Sequence, residues 1–167
     1  MVKKIVGTGV LLVLALALQA GVKMYTLKSP DGKVKLEVTA GQGIAYSLFY
    51  DGRLLLKPSR IALHTDLPEA DHWENIRITG TKQRHVSETV QAPFYRVKEF
   101  GIDCNELELR LNNGFSLLMR AYNDGMAYRF VAGRKGEMTV VEERAEFNFA
   151  DDFEAYIPYS TNPKDPW

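Results

Sequence analysis

The chain has 167 residues, of which 46% are apolar and 25% charged, the balance of an ordinary globular protein and not of a disordered or collagenous chain. Lysine plus arginine and aspartate plus glutamate number 21 each, so the net charge is zero, and the basic excess expected of a protein that binds nucleic acid is missing. The length falls below the roughly 200 residues of a complete (β/α)8 barrel, and the single cysteine, Cys104, excludes an intramolecular disulfide and cysteine-based metal cages.

Residues 1–20 have the layout of a secretory signal peptide. Lys3 and Lys4 precede an apolar run over residues 5–18, and small residues follow at Ala20 and Gly21. The run is shorter than the about 20 apolar residues that a membrane span needs, and an uncleaved N-terminal anchor is the alternative. We therefore predict a periplasmic or secreted protein with no membrane association after cleavage. Its net charge would be −2, because residues 1–20 contain two lysines and no acids.

From residue 24 onward, apolar and polar residues alternate with a period of two, as in antiparallel strands with one buried and one solvated face. Turn signals built from glycine, asparagine, aspartate and proline separate the runs. One of them, residues 123–125 (NDG), predicts a hairpin with positive φ at Gly125. The alternation predicts strands near 24–29, 33–39, 44–50, 53–56, 60–65, 73–79, 84–91, 105–111, 115–122, 126–132, 138–148 and 154–158.

These short strands and frequent turns predict an all-β fold, an antiparallel two-sheet β-sandwich over residues 21–160. Segment 138–148 could also form a helix, but its β-branched start favours a strand. Residues 161–167 are turn-rich and break the alternation. We interpret them as a truncated linker toward a further domain.

The sequence contains no recognisable catalytic or metal-binding motif. His64, His72 and His85 lack the spacing of metal ligands, and the acidic loop 66–74 matches no dedicated calcium loop. Glycoside hydrolysis needs two carboxyl groups across the scissile bond, but the acids here, such as Glu106 and Glu108, alternate along strands as a solvated face does. We therefore predict no catalytic residue and no metal site in this chain, with Cys104 as an inert, partly buried thiol.

Aromatic residues are the most suggestive feature, because exposed rings pair with the CH faces of sugars. Packing in the core or at sheet edges is the alternative for most of them, and the sequence leaves both open. The candidates are Tyr46, Phe49, Tyr50, Trp73, Phe94, Tyr95, Tyr122, Tyr128, Tyr156, Tyr159 and Trp167.

Three groups of segments together carry a resemblance to a known family. They are residues 27–33 (LKSPDGK) with 45–52 (AYSLFYDG) and 57–59 (KPS); residues 98–99 with 104–109 (CNELEL); and residues 120–130 (RAYNDGMAYRF) with 142–143 and 156–158 (YIP). The chain thereby resembles, over roughly 24–160, the N-terminal domain of glycoside hydrolase family 97, the α-glucosidases and α-galactosidases of Bacteroidetes.

The resemblance implies a supersandwich of the galactose-mutarotase kind that precedes a (β/α)8 catalytic barrel. In that family the barrel carries the acid and base glutamates and most ligands of a calcium ion, to which the N-terminal domain of the glucosidase branch adds one carboxylate. Asp165 falls near the matching place, but it is not a glutamate and lies between two prolines. We therefore assign no cofactor to this chain.

The resemblance implies an accessory, carbohydrate-associated domain that supports and borders the active site of a barrel absent from this chain. The parent family are hydrolases of O-glycosyl bonds, whereas this chain alone is expected not to be catalytic. The expected partners are the (β/α)8 domain and an α-glucan or α-galactoside, with Tyr156, Tyr159 and Trp167 as the sugar-contact residues. The alternatives are an inert structural domain without sugar affinity and a stand-alone sugar epimerase.

Overall fold

The computed structural model describes residues 23–94, 96–133, 135–154 and Tyr156. Within these residues every regular element is a β-strand, and no helix long and apolar enough to cross a membrane occurs among them. The predicted signal peptide lies outside the described residues. The strands are β1 (Lys23–Lys28), β2 (Val34–Gly41), β3 (Gly43–Tyr50), β4 (Arg53–Thr65), β5 (Ile78–Gln91), β6 (Glu99–Leu111), β7 (Phe115–Tyr122), β8 (Gly125–Ala132) and β9 (Val140–Ala145).

The described strands form two antiparallel sheets, one ordered β1-β2-β3-β4-β9 and the other β5-β6-β7-β8. The sheets face each other, since β1 contacts β6 and β7, and β2 contacts β7. The predicted all-β, two-sheet sandwich is confirmed. Its consecutive strands are mostly joined as hairpins, which explains why local turn signals carry so much of the topology.

The core lies between the sheets and comes from alternate residues of each strand. In β7, Leu117 and Met119 are fully buried, whereas their neighbours Leu118 and Arg120 face outward and are only partly buried. The same period of two buries Leu107 and Leu109 in β6. The apolar faces thus remove each other from water, the main driving force for assembling the sandwich.

One end of the core is closed by a loop that the sequence wrongly predicted as a strand. Strand β5 begins only at Ile78, and residues 73–77 form a turn and extended chain. Trp73 and Ile76 are nevertheless buried, and the Trp73 indole donates to the carbonyl of Leu63 at 3.2 Å. The apolar residues of this segment are therefore explained by packing against the end of the core, where the segment acts as a plug, and not by pairing with a neighbouring strand.

The predicted strands 53–56 and 60–65 are one continuous strand, β4, with a bulge. Tyr46 pairs with Ser59 and Leu48 with Leu56, so two residues of β4, Lys57 and Pro58, stand opposite one residue of β3. A proline is tolerated at such a bulge because its missing N–H breaks no regular ladder bond.

The 123–125 hairpin is present, but its predicted backbone conformation is wrong. Tyr122 pairs directly with Gly125, which makes Gly125 a strand residue without positive φ. The turn is therefore the two residues Asn123 and Asp124, neither of which has positive φ. Asp51 and Gly52, with φ of 47° and 80°, form instead the left-handed two-residue turn that suits a tight hairpin.

At the C-terminal end, the predicted strand 138–148 shortens to β9, which pairs antiparallel with β4. All six residues of β9 are exposed. The described residues of the predicted strand 154–158, Glu154 and Tyr156, lie outside any strand.

Candidate functional site

The most organised charged cluster lies on the outer face of the second sheet. Glu106 of β6 pairs in register with Arg84 of β5 on one side and with Arg120 of β7 on the other. Its Oε1 accepts from Arg84 Nε at 2.7 Å, and its Oε2 accepts from Arg120 Nε at 2.8 Å. We call these three residues the arginine–glutamate triad. It ties three adjacent strands together through side chains.

The two arginine side chains of the triad shield the Glu106 carboxylate from solvent. Glu106 is only 4% exposed, although it lies on the face away from the inter-sheet core. Burial alone would raise the pKa of Glu106, but the hydrogen bonds and charges of Arg84 and Arg120 outweigh it and lower that pKa below its usual value. The same contacts raise the pKa of Arg120. Glu106 is thus held as a carboxylate with both oxygens engaged.

This electrostatic state is the opposite of what a glycosidase acid requires. A general acid needs a raised pKa and a proton to donate, whereas Glu106 is held ionised. Glu108 lies two residues away on the same strand face, a separation of about 7 Å along a strand. The distance alone would suit a carboxyl pair, but Glu106 lacks the raised pKa of the acid, and both of its oxygens already accept hydrogen bonds from arginines.

A polar cleft of about 440 Å³ lies beside the β2–β3 turn, on the outer face of the first sheet. Its wall is built around Glu146, which accepts from the Arg60 backbone N–H at 3.0 Å and from Arg144 Nε at 2.7 Å. These contacts, the Arg60 N–H first, lower the pKa of Glu146. Asn148 donates to the Pro58 carbonyl at 2.9 Å. The polar groups of this cleft therefore mainly bind one another and fasten the chain after β9 to β4.

Of the three predicted sugar-contact residues, Tyr156 lies within the described part of the chain. Tyr156 is 87% exposed, so its ring is available to a ligand or partner. Tyr159 and Trp167 lie outside the described residues. Two other aromatic candidates, Tyr46 and Trp73, are buried and belong to the core.

The histidines and the cysteine have structural surroundings. His64 Nδ1 lies 2.7 Å from Asp71 Oδ1, a contact between β4 and the acidic loop. His85 lies between Asn105 and Asp103 of β6, each at 3.0 Å. Cys104 is fully buried, and desolvation raises the pKa of its thiol, which makes it a poor nucleophile. Among the described residues, no three histidine, cysteine or acidic side chains cluster in a way that could hold a metal ion.

Sequence reasoning placed Glu106 on the correct face but wrongly treated it as solvated. Its burial depends on Arg84, which lies 22 residues away along the chain. The available signal was strand register: once the β5–β6 and β6–β7 hairpins are aligned, an arginine stands on each side of Glu106.

Comparison with known proteins identifies relatives along nearly the whole described chain. Residues 27–166 match the family model described as Glycosyl-hydrolase 97 N-terminal. The chain is 40% identical over 151 residues to a retaining alpha-galactosidase of Bacteroides thetaiotaomicron, an alignment that covers 90% of this chain and 22% of the relative. It is 26% identical over 132 residues to a probable retaining alpha-galactosidase of Streptomyces bingchenggensis, an alignment that covers 77% of this chain and 20% of the relative.

Solved structures agree with this relationship at the level of the fold. A beta-arabinopyranosidase matches with a TM-score of 0.66 and 25% identity, over 75% of this chain and 21% of that one. A glycoside hydrolase family 97 enzyme from Pseudoalteromonas sp. in complex with panose matches with a TM-score of 0.64 and 18% identity, over 76% of this chain and 20% of that one. The chain spans about a fifth of the length of the curated relatives it matches.

Proposed function

The chain belongs to the glycosyl-hydrolase 97 N-terminal family, and from this premise we propose that it is the accessory β-sandwich domain of an exported glycosidase. The family match over residues 27–166 carries the proposal. In this role the domain supports and borders the active site of a catalytic domain that supplies the reacting carboxyl groups. Glu106 is the most buried acid among the described residues, and its lowered pKa and two arginine hydrogen bonds support a role other than that of a catalytic acid.

We further propose that the parent enzyme acts on α-galactosides. The retaining alpha-galactosidase relative, at 40% identity, supports this choice over an α-glucan. Tyr156, together with Tyr159 and Trp167, is proposed to contact sugar, and the exposed Tyr156 ring is compatible with stacking. The signal-like residues 1–20 support a periplasmic or secreted location.

No cofactor is assigned to this chain. Calcium takes six to eight oxygen ligands, and among the described residues no three histidine, cysteine or acidic side chains cluster in a way that could hold a metal ion. We propose that any calcium used by the full-length enzyme takes its ligands mainly from the catalytic domain.

A domain exchange tests the proposal. The matched segment of the Bacteroides alpha-galactosidase is replaced by this chain, and kcat/KM is measured with p-nitrophenyl α-galactoside. We expect the hybrid to retain activity within about tenfold of the parent enzyme, which corresponds to a loss of transition-state stabilisation of at most about 1.4 kcal/mol. A deletion of the same segment should abolish activity, because the catalytic domain then lacks its supporting surface.

A control insertion and a check of folding make the result decisive. An unrelated β-sandwich of similar length, inserted at the same place, should not restore activity. If the hybrid folds, as judged by circular dichroism, but is as inactive as the deletion, the proposed role is wrong.

A further inference from the structure

The β5–β6 hairpin extends well beyond the sandwich. Strand β6 pairs with β5 from Glu99 to Leu111, but with β7 only from Asn105 to Arg110. Residues 86–91 and 99–104 therefore form a two-stranded ribbon with no third strand beside it among the described residues. A two-stranded ribbon alone in water is marginally stable at best, so this one calls for additional contacts.

The two faces of the ribbon differ sharply. On one face, cross-strand pairs join Val86 to Cys104, Glu88 to Ile102 and Val90 to Phe100. On the other face, the pairs are Ser87 with Asp103, Thr89 with Gly101 and Gln91 with Glu99. We call the first set, which is apolar except for Glu88, the ribbon face. It continues the sheet surface that carries the arginine–glutamate triad.

Exposure of the ribbon face increases toward its tip. Val86 and Cys104, nearest the sandwich, are 7% and 0% exposed. Val90 and Phe100 reach 40% and 38%, and Phe94 at the tip is 102% exposed. Exposed apolar side chains gathered on one face of an extended arm mark an interaction site, because their contact with water is unfavourable.

We infer that the ribbon face packs against the remainder of the full-length glycosidase, the part that carries the catalytic domain. This inference rests on the proposed function. The relatives have about four-fifths of their length beyond the segment that this chain matches, so a large partner surface exists in the same enzyme. The basic, exposed Arg96 and Lys98 flank the apolar tip. Glu88 on the ribbon face and Glu99 at its end carry the opposite charge, so the partner surface is an apolar patch with mixed charges around it.

Hydrogen exchange tests the inference, with the isolated chain and the hybrid enzyme compared by mass spectrometry. In the hybrid, amides of residues 86–91 and 99–104 should exchange at least about tenfold more slowly than in the isolated chain, because contact suppresses local opening. The double variant Val90→Thr/Phe100→Thr places β-branched, strand-compatible threonine at both positions but removes apolar area. In the hybrid it should lose most of that protection.

The matched control is Thr89→Ser, on the polar face of the same ribbon, which should leave the tenfold difference intact. An active hybrid whose ribbon exchanges as fast as that of the isolated chain would overturn the ribbon inference and leave the proposed function standing. A folded but inactive hybrid would refute both. Ribbon protection that rises with the concentration of the isolated chain would assign the face to a second copy and also overturn the inference.

Discussion

Replacing Leu117 with alanine should lower the free energy of unfolding by about 3 kcal/mol. Leu117 is fully buried at the centre of β7, between the two sheets. Truncation removes apolar contacts and leaves a cavity that neighbouring strands, fixed by their ladders, can fill only in part. Urea unfolding, followed by circular dichroism, measures the change.

The adjacent residue supplies the control. Leu118 lies on the outer face of the same strand and is only partly buried, so Leu118→Ala should cost less than about 1 kcal/mol. Equal losses at the two positions would contradict the assignment of Leu117 to the inter-sheet core and, with it, the register of β7.

The variant Glu106→Ala should destabilise the chain by about 2–3 kcal/mol, because it leaves Arg84 and Arg120, one on each side of β6, without their shared carboxylate. This loss is smaller than that expected for a fully buried ion pair, because the Arg84 side chain is 53% exposed and can regain water. Glu108→Ala, two residues along the same strand face, should change stability by less than about 0.5 kcal/mol.

The triad also predicts how stability depends on pH. Since the folded-state pKa of Glu106 lies below its unfolded value, its stabilising contribution is fully present above that unfolded value, about 4.3. It is lost as the pH falls through the lower, folded-state pKa. The stability difference between the wild type and Glu106→Gln should therefore shrink below about pH 4. A difference that stays constant down to pH 2 would show that the Glu106 charge does not contribute.

Much of the fold could be predicted because it is encoded locally. Alternation in β7 and the two-residue Asp51–Gly52 turn specify strands and hairpins without reference to distant residues. The bulge at Pro58 and the plug around Trp73 depend on what those residues meet in three dimensions. The sequence therefore predicted two strands where β4 is one, and a strand at 73–79 where the chain closes the core.

The family relationship was predicted from short segments and is confirmed by the match over residues 27–166. The candidate site was harder to predict from the sequence. The burial of Glu106 follows from the register in which β5, β6 and β7 align. The ribbon face is exposed because the pairing of β6 with β5 extends beyond its pairing with β7. Neither is visible in a single segment. The sugar contact at Tyr156, Tyr159 and Trp167 stays a prediction.

Turnover by the purified chain alone tests the central claim most directly. We expect no hydrolysis of p-nitrophenyl α-galactoside or α-glucoside above the uncatalysed rate, with or without calcium. Hydrolysis needs a protonated acid opposite a second carboxylate. Glu106 cannot be that acid, because its pKa is lowered and both of its oxygens are hydrogen-bonded to arginines. The reacting carboxyl groups are proposed to come from the catalytic domain. Turnover that survives repeated purification and disappears in Glu106→Gln or Glu108→Gln would contradict the account and make this chain a catalyst in its own right.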